Sequence, residues 1–408
     1  MLALNMEEVP PPTQKPARRP KVLFTFADDR FFWSHRLPVA RAALRSGYEV
    51  VVATGVYAYA QQIQDEGFRL IPLELVRKNR SLMKELRAVR QLRRVYREEQ
   101  PDIVHNVAIK AVLYGSMAGV GLNDMRAVNA LTGLGYLVAS SSAKASFLRA
   151  LVWRAFRFLL NHPEKRVLVE NQDDRNLVVS NLRIPSNQVI VTRGSGVDTE
   201  LFQPTPEPAN PPVVVLASRM LWIKGIKEFI EAARLLQGKR IAARFVLAGD
   251  SDPNNPSCVP RDQLLEWQRS GIIEWWGHQQ DMPQVFRQAS LVCLPSHGGE
   301  GVPKVLMEAA ASARAIVTTD VPGCREIVQH GINGLLVPPG EAASLAAALE
   351  QLLNDPESRR QMAARGRQMA VDDFSEAAVI RQTLVLYSEL LGSRPPVVPA
   401  SAQSAHQQ

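Results

Sequence analysis

Along this chain, short apolar runs bounded by glycine or charged turns alternate with longer stretches of helical period. KVLFTF, residues 21 to 26, opens the series, followed by EVVVATG, PDIVHNV, RAVNA, Arg166 to Glu170 and Gln188 to Thr192. A run that is apolar at nearly every position suits a strand buried on both faces, as parallel sheets require. LPVARAALRSG, Ser81 to Arg97 and Ala145 to Leu160 carry apolar residues at helical spacing between these strands. The alternation predicts βαβ units and a doubly wound domain. QPTPEPANPP, residues 203 to 212, is rich in proline and reads as a linker between domains. A second series starts at Val213. Its strands are expected at Val213 to Ala217, Phe245 to Ala248, Ile272 to Trp276, Ala289 to Leu294, Ala315 to Thr318 and Gly334 to Val337. Helices are expected at Glu341 to Asn354, Glu357 to Ala370 and Phe374 to Leu391. The expected organisation is α/β, with doubly wound domains at 21–203 and 213–373, a linker at 204–212 and a last amphipathic helix at 374–392. Residues 1–20 and 393–408, low in apolar content or low in complexity, are expected to be disordered.

The densest chemistry lies in LPSHGGEGVPKVLMEAAA, residues 294 to 311. Gly298, Gly299, Glu300 and Gly301 form a loop free enough in φ and ψ to approach a ligand closely. Pro303 suits the first turn of a helix, and Val305, Leu306, Ala309 and Ala310 supply its apolar stripe. A glycine-rich loop feeding a helix N-terminus is a natural anion site. Glu300 and Glu308 are poor partners for phosphate but good acceptors for sugar hydroxyls, so the pattern suits a ligand with both groups. An ordinary strand–loop–helix with surface glutamates fits this stretch alone equally well. Upstream, Arg219 and Lys224 lie at the carboxyl end of the strand Val213 to Ala217, where open parallel sheets bind ligands. Arginine forks two phosphate oxygens and lysine supplies a point charge.

Other segments carry weaker signals. The first loop, ADDRFFWSHR, lacks G-x-G-x-x-G and so lacks a dinucleotide fingerprint. It holds Asp28, Asp29, Arg30, Phe31, Trp33, His35 and Arg36, and His35 reads equally as a helix-cap residue. His105, Asn106 and Lys110 fall at the end of the strand PDIVHNV, and Thr132 and Gly133 follow the strand RAVNA. Asn171 and Asp173 follow the strand ending at Glu170. Gly194 and Gly196 permit a tight turn toward a cleft. Asp250–Ser251–Asp252 reads as a turn rather than a metal clamp. In Ser81 to Arg97, an apolar stripe of Leu82, Leu86, Val89 and Tyr96 adjoins an arginine stripe at 87, 90, 94 and 97. The helix from Ala145 to Leu160 sets Arg149, Arg154 and Arg157 among aromatic residues. Each reads either as a core helix with a solvated charged face or as a contact for an anionic membrane surface.

Composition narrows the class. A length of 408 residues allows two or three domains, and 46% apolar with 22% charged residues is globular. A formal net charge of +8 fits nucleic acid, an anionic membrane or nucleotide-linked substrates as partners, or solubility alone. Cys258, Cys293 and Cys324 show no paired spacing, which argues against a zinc site and for a reducing compartment. The first twenty residues lack the apolar run of a signal peptide. No stretch of about 18 apolar residues occurs to span a bilayer.

S-R-x-x-x-x-K-G at 218–225, followed about eighty residues later by E-G-x-P-x-x-x-x-E at 300–308, resembles the retaining glycosyltransferases of family 4, with the GT-B fold. FVLAGDSDPNNPSC, SGIIEWWGHQQDM and VPGCREIVQHGINGLLVPPG extend the resemblance over roughly residues 21 to 392. RMLWIKGIKEF and DPNNPSC look most similar to the bacterial branch that adds N-acetylhexosamines to polyprenyl-diphosphate-linked sugars. The resemblance implies two Rossmann-like domains facing a central cleft, with the last helix crossing back to brace the first domain. It implies transfer from a UDP-sugar substrate to a polyprenyl-linked saccharide acceptor, with no cofactor, metal or nucleic acid. The protein would be cytoplasmic and peripheral on the inner face of the membrane, held through helices 81–97 and 145–160. Arg219 and Lys224 would face the diphosphate, the backbone of Gly301 and Val302 the distal phosphate, Glu308 the ribose and Glu300 the sugar. His278 and Asp281 would lie by the base, and His35, Arg36, His105, Thr132 and Gly133 in the acceptor half of the cleft. Many family members have histidine where Thr132 stands, beside the transferred sugar, and His35 or His105 are candidates to replace it. A UDP-sugar 2-epimerase of the same fold, a glycogen-type phosphorylase and a non-catalytic phosphate- or acidic-lipid-binding protein are the competing readings. An epimerase would turn over without an acceptor. A phosphorylase needs a pyridoxal lysine that no segment supplies.

Overall fold

The computed structural model describes residues 18–75, 82–122, 125–134, 143–208, 211–253, 255, 257–299 and 301–392. The expected N-terminal arm through residue 17, the tail from residue 393 and Glu300 lie outside the described residues. The first sheet contains β1 (Lys21–Phe26), β2 (Glu49–Thr54), β3 (Arg69–Pro72), β4 (Ile103–Val107), β5 (Arg126–Ala130), β6 (Lys165–Val169) and β7 (Val189–Val191). Their spatial order is β3-β2-β1-β4-β5-β6-β7, and every pairing is parallel. The second sheet contains β8 (Val213–Ala217), β9 (Arg244–Ala248), β10 (Glu274–Gly277), β11 (Leu291–Leu294), β12 (Ala315–Thr319) and β13 (Gly334–Val337). Its order is β10-β9-β8-β11-β12-β13, again all parallel. β1, β4, β8, β11 and β12 are buried along almost their whole length, which is why they read as continuous apolar runs. The architecture is the expected GT-B plan of two doubly wound, Rossmann-like domains.

Each sheet reverses its winding beside its first strand. In the second sheet this falls between β8 and β11, where the connections leave toward opposite faces and open a crevice at the strands' carboxyl ends. The helix Glu376–Leu391 returns to the first domain. Its Val379, Ile380, Leu384 and Tyr387 join Val22, Phe24, Val50 and Val52 in one core cluster. Ser375 caps it, its side chain accepting from Ala378 N, and Gly392 ends it at φ 64°.

Three details differ from the sequence expectation. The stretch after β1 is not an open loop. Asp29–His35 is a helix, started by Asp28, whose side chain accepts from Arg30 N. β3, a four-residue edge strand ending in proline, is additional. In the helix Leu82–Glu99 the core stripe is Ala88, Leu92, Val95 and Tyr96, while Leu86 is 41% exposed on the side of the arginines. Arg93, off the arginine stripe, donates to Ala118 O and Val120 O.

The proline-rich linker is strapped to the second domain by arginines. Arg314, 2% exposed, donates to Phe286 O and to Thr205 O and Oγ1. Arg359, also buried, makes a forked pair with Glu207 at 3.1 and 2.6 Å. Glu207→Ala strands that guanidinium in the interior and is expected to cost about 3 kcal/mol or more. Chemical denaturation checks it, and an unchanged midpoint would show that water replaces the carboxylate.

Candidate functional site

The loop after β8 carries the first two cations. Met220 N and Trp222 N donate to Asp250 O and Ser257 O, pinning the loop against the one that follows β9. Arg219 points outward, about half exposed, with Nη1 3.4 Å from Asp252 Oδ2. Asp250 lies 4.0 Å from Arg261. The carboxylates of the D-x-D turn thus each face an arginine. Trp222–Lys224 is a single 3₁₀ turn, and Gly225 leaves it at φ 75° to start the helix Ile226–Gly238. A Cβ on Gly225 would sit 1.9 Å from Pro295 O, so only glycine lets this loop lie on the one after β11. His297 N donates to Ile223 O at 2.9 Å, joining the two loops. The crevice between β8 and β11 therefore has Arg219 and Lys224 on one lip and residues 297–299 and 301–303 on the other.

That second lip ends at the helix Lys304–Ala311, whose N-cap is Pro303. Val302 N–H is not spent within the helix. It donates 3.1 Å to Glu170 Oε2, a side chain of the first domain at the end of β6. Glu308 lies on the helix, 8% exposed, with Lys304 Nζ 3.9 Å from its Oε1. Lys304 Nζ also donates to Ser34 O of the first domain at 2.9 Å. Burial pushes Glu308 up to about 7, against the attraction of Lys304. Glu376, the first residue of the returning helix, is likewise pushed up to about 7 by burial.

These two acids give the protein a defined pH response. An acid whose pKa is raised on folding holds its proton longer in the native state. Its stabilising contribution is then complete below about 4.5 and is lost as pH rises through about 7. Glu308→Gln is expected to remove its share, so the variant gains stability relative to the parent as pH rises across that window. Urea midpoints at both ends of the window check this, and a difference independent of pH would contradict it.

The first domain supplies the opposite wall. His35 ends the helix Asp29–His35, with Nδ1 2.7 Å from Ser34 Oγ and its ring stacked on Phe31 at 4.2 Å. Burial first, then Lys304 and Arg36, lower its pKa to about 3, so the imidazole is neutral at ordinary pH. Arg36 is 3% exposed, donates to His35 O at 3.2 Å and lies 4.0 Å from Glu170 Oε1. Gly194, at φ 65°, brings the turn after β7 against Val302, where a Cβ would meet Val302 Cβ at 3.1 Å.

The structure thus brings Gly301, Val302, Glu308, His35 and Arg36 together, with Arg219 and Lys224 on the neighbouring loop. It separates others. His105 is 1% exposed inside the first domain, with Nδ1 2.6 Å from Tyr387 Oη and its ring on Phe24. It is a core residue beneath the returning helix, not a lining of the cleft surface. Asn106 bonds Tyr96 and Asn129, and Lys110 pairs with Glu85. Asp28 and Asp29 are also structural. Asp28 forks Arg30, and Asp29 Oδ2 accepts from the N–H groups of Tyr57, Ala58 and Tyr59. Asn171 caps the helix Gln172–Leu182, accepting from Asp174 N. Asp281 caps the helix Met282–Arg287, accepting from Gln284 N, and His278 is exposed just beyond β10. Thr132 and Gly133 are half-buried after β5. Among the described residues, no three His, Cys, Asp or Glu side chains cluster as metal ligands.

The sequence reading gives neither Glu170 nor Lys304 a functional role. The only local signal for Glu170 is its place at the carboxyl end of a strand.

Residues 211–355 match the family described as Glycosyl transferases group 1, and residues 21–164 match Glycosyl transferase 4-like. N,N'-diacetylbacillosaminyl-diphospho-undecaprenol alpha-1,3-N-acetylgalactosaminyltransferase of Campylobacter jejuni is 26% identical over 369 residues, 87% of this chain and 95% of its own. Putative glycosyltransferase EpsD of Bacillus subtilis is 26% identical over 384 residues, 90% and 96% of the two chains. Among solved structures, sucrose-phosphate synthase of Thermosynechococcus elongatus superposes with a TM-score of 0.76 at 19% identity, over 92% of this chain and 100% of that one. HepE of Anabaena, in complex with UDP and glucose, gives 0.72 at 19% identity, over 91% and 100%. At such identity the structural likeness speaks for the fold. With both halves matched in order by glycosyltransferase families, and the crevice built at the switch point of the second sheet, the chain belongs to the family 4 glycosyltransferases of GT-B fold.

Proposed function

We propose that this glycosyltransferase moves an N-acetylhexosamine from a UDP-sugar to a polyprenyl-diphosphate-linked saccharide, with retention at the anomeric carbon. The observation that carries the reading is the crevice between β8 and β11. There Arg219 and Lys224 follow β8, and the loop after β11 leads to a helix N-terminus with a buried carboxylate, Glu308, on that helix. The acceptor class rests on similarity along nearly the whole chain to the Campylobacter enzyme, whose name specifies a diphospho-undecaprenol substrate. The donor class draws support from the UDP in the HepE structure.

In this reading Arg219 and Lys224 neutralise the charge that builds on the leaving diphosphate, the largest electrostatic need of the step. The N–H groups of Gly301 and Val302 hold the distal phosphate. Glu308 accepts from the ribose hydroxyls and Glu300 from those of the sugar, while His278 and Asp281 flank the base. His35 and Arg36, with Thr132 and Gly133, form the acceptor side. The bond from the anomeric carbon to the phosphate oxygen breaks and one to the acceptor oxygen forms. The acceptor's proton passes to the departing diphosphate if attack is from the front face. A double displacement would instead need a carboxylate at the anomeric carbon. Protein cations carry the leaving-group charge, so the reaction proceeds without a metal.

No helix among the described residues is long and apolar enough to cross a membrane. The helix Ala143–Leu160 leaves Phe158 80% and Leu151 55% exposed on one side, beside exposed Arg154 and Arg157. Apolar side chains flanked by arginines suit the interface of an anionic leaflet. With the arginine face of Leu82–Glu99, this surface would hold the enzyme on the inner face of the cytoplasmic membrane.

UDP release from a panel of UDP-sugars, with and without a polyprenyl-diphosphate-saccharide and in EDTA, tests donor, acceptor and metal independence together. Acceptor-dependent release from one N-acetylhexosamine donor is the expected result. Release without acceptor would favour an epimerase or hydrolase, and silence across the panel would remove the UDP assignment.

A further inference from the structure

The anion position at the head of the helix Lys304–Ala311 already holds a carboxylate. Glu170 reaches across from β6, and its Oε2 accepts from Val302 N at 3.1 Å. Gly301 makes the approach possible, because a Cβ there would lie 1.6 Å from that same oxygen. The other oxygen, Oε1, faces Arg36 at 4.0 Å, beyond hydrogen-bond reach. Arg36 is 3% exposed, its guanidinium makes one hydrogen bond among the described residues, to His35 O, and its Nε has no partner there. A guanidinium has five N–H donors, and leaving most of them unused in the interior is costly. A single carboxylate therefore spans a gap between two anion binders, bonding Val302 N–H but stopping short of Arg36. A phosphate, with more oxygens spread over a wider tetrahedron, suits that gap better.

Resting on the UDP-sugar reading above, we propose that Glu170 is a built-in competitor for the donor's distal phosphate. In the donor-free protein its carboxylate occupies the position between Val302 N–H and Arg36 and fastens the two domains. The phosphate displaces it and takes both partners. Two anions held within a few ångströms of one another in a buried site repel, so the carboxylate and the phosphate exclude one another. The remaining contacts across the cleft keep the domains apposed while this exchange occurs. Lys304 bonds Ser34 O, and Glu326 accepts from Gln172 N and pairs with Arg193. Arg36 then belongs to the donor site as well as to the acceptor wall.

Two variants test this. Glu170→Gln keeps the shape and removes the charge. Glu170→Asp keeps a charge beside Arg36 but draws back from Val302 by one methylene, which guards against misfolding from an unpaired Arg36. Calorimetric titration with UDP and with inorganic pyrophosphate is expected to show tighter binding in both variants, about tenfold, the scale of one lost hydrogen bond to a charged group. Hydrogen–deuterium exchange across residues 297–306 is expected to speed up in both variants without ligand and to slow again with pyrophosphate. Unchanged or weaker binding in both variants would overturn the proposal and make Glu170 a wall or a donor contact. Unchanged exchange in the ligand-free variants would also overturn it. If the parent binds pyrophosphate but not UDP, the donor assignment fails, while the variants still decide the role of Glu170.

Discussion

Lys224→Ala is expected to lower kcat/KM for the sugar donor by about 10²-fold or more, the scale of one lost transition-state contact. Lys224 closes the 3₁₀ turn at the lip of the crevice, half-buried and beside the loop that leads to the helix Lys304–Ala311. Charge on the leaving diphosphate grows as the anomeric bond stretches, so a cation there stabilises the transition state more than the bound donor. The loss should therefore fall mainly on kcat. Lys224→Arg keeps the charge and should recover part of the rate. Glu308→Gln is expected to lose as much if the ribose contact sets the donor's reach. Steady-state kinetics of the purified variants, with melting curves to exclude unfolding, give the answer. Near-normal turnover in both Lys224→Ala and Glu308→Gln would remove them from the site.

Gly225→Ala is expected to be the most damaging change in which no functional side chain is altered. A β-carbon at φ 75° costs about 1 kcal/mol or more by itself. The steric clash costs more, because that carbon would lie 1.9 Å from Pro295 O and 2.6 Å from its carbonyl carbon. Both are backbone atoms and cannot turn aside as a flexible side chain can. The two loops must part, which breaks the bond from His297 N to Ile223 O and moves Lys224 away from the crevice. A stability loss of about 3 kcal/mol or more and a rate loss like that of Lys224→Ala are expected together. Gly238→Ala is the control. It ends the same helix with nothing within 4 Å of the added carbon, so it should be neutral or slightly stabilising. Equal behaviour of the two alanine variants would show that the loop contact does not position the lysine.

Much of this architecture is legible in residue order alone. Strands such as KVLFTF and VVVLA must bury both faces between helices, and that requirement writes itself as uninterrupted apolar residues. The glycine-rich loop, the proline and the apolar helix at 294–311 announce a helix N-terminus, because each residue type answers a local backbone demand. The same locality explains the errors. DRFFWSH forms a helix only two turns long, too short for its period to stand out from the aromatic cluster it carries. Leu86 leaves the core stripe and Ala88 enters it because the rotation of Leu82–Glu99 about its axis is set by what packs on it, here the helix Ile109–Ala118 and the first sheet.

Side-chain period reflects backbone geometry over a few residues, so the succession of strands and helices, the two sheets and the anion-binding loop can be read along the chain. Which groups share the cleft cannot. His105 looks like a strand-end ligand until Tyr387, 282 residues further on, covers it. Glu170 looks like any polar residue at a strand end until the second domain sets Val302 N–H against it, 132 residues away. Such pairings depend on where the returning helix and the inter-domain turn place whole sheets. That placement comes from the summed packing of both cores, in which no single stretch of sequence has a decisive share.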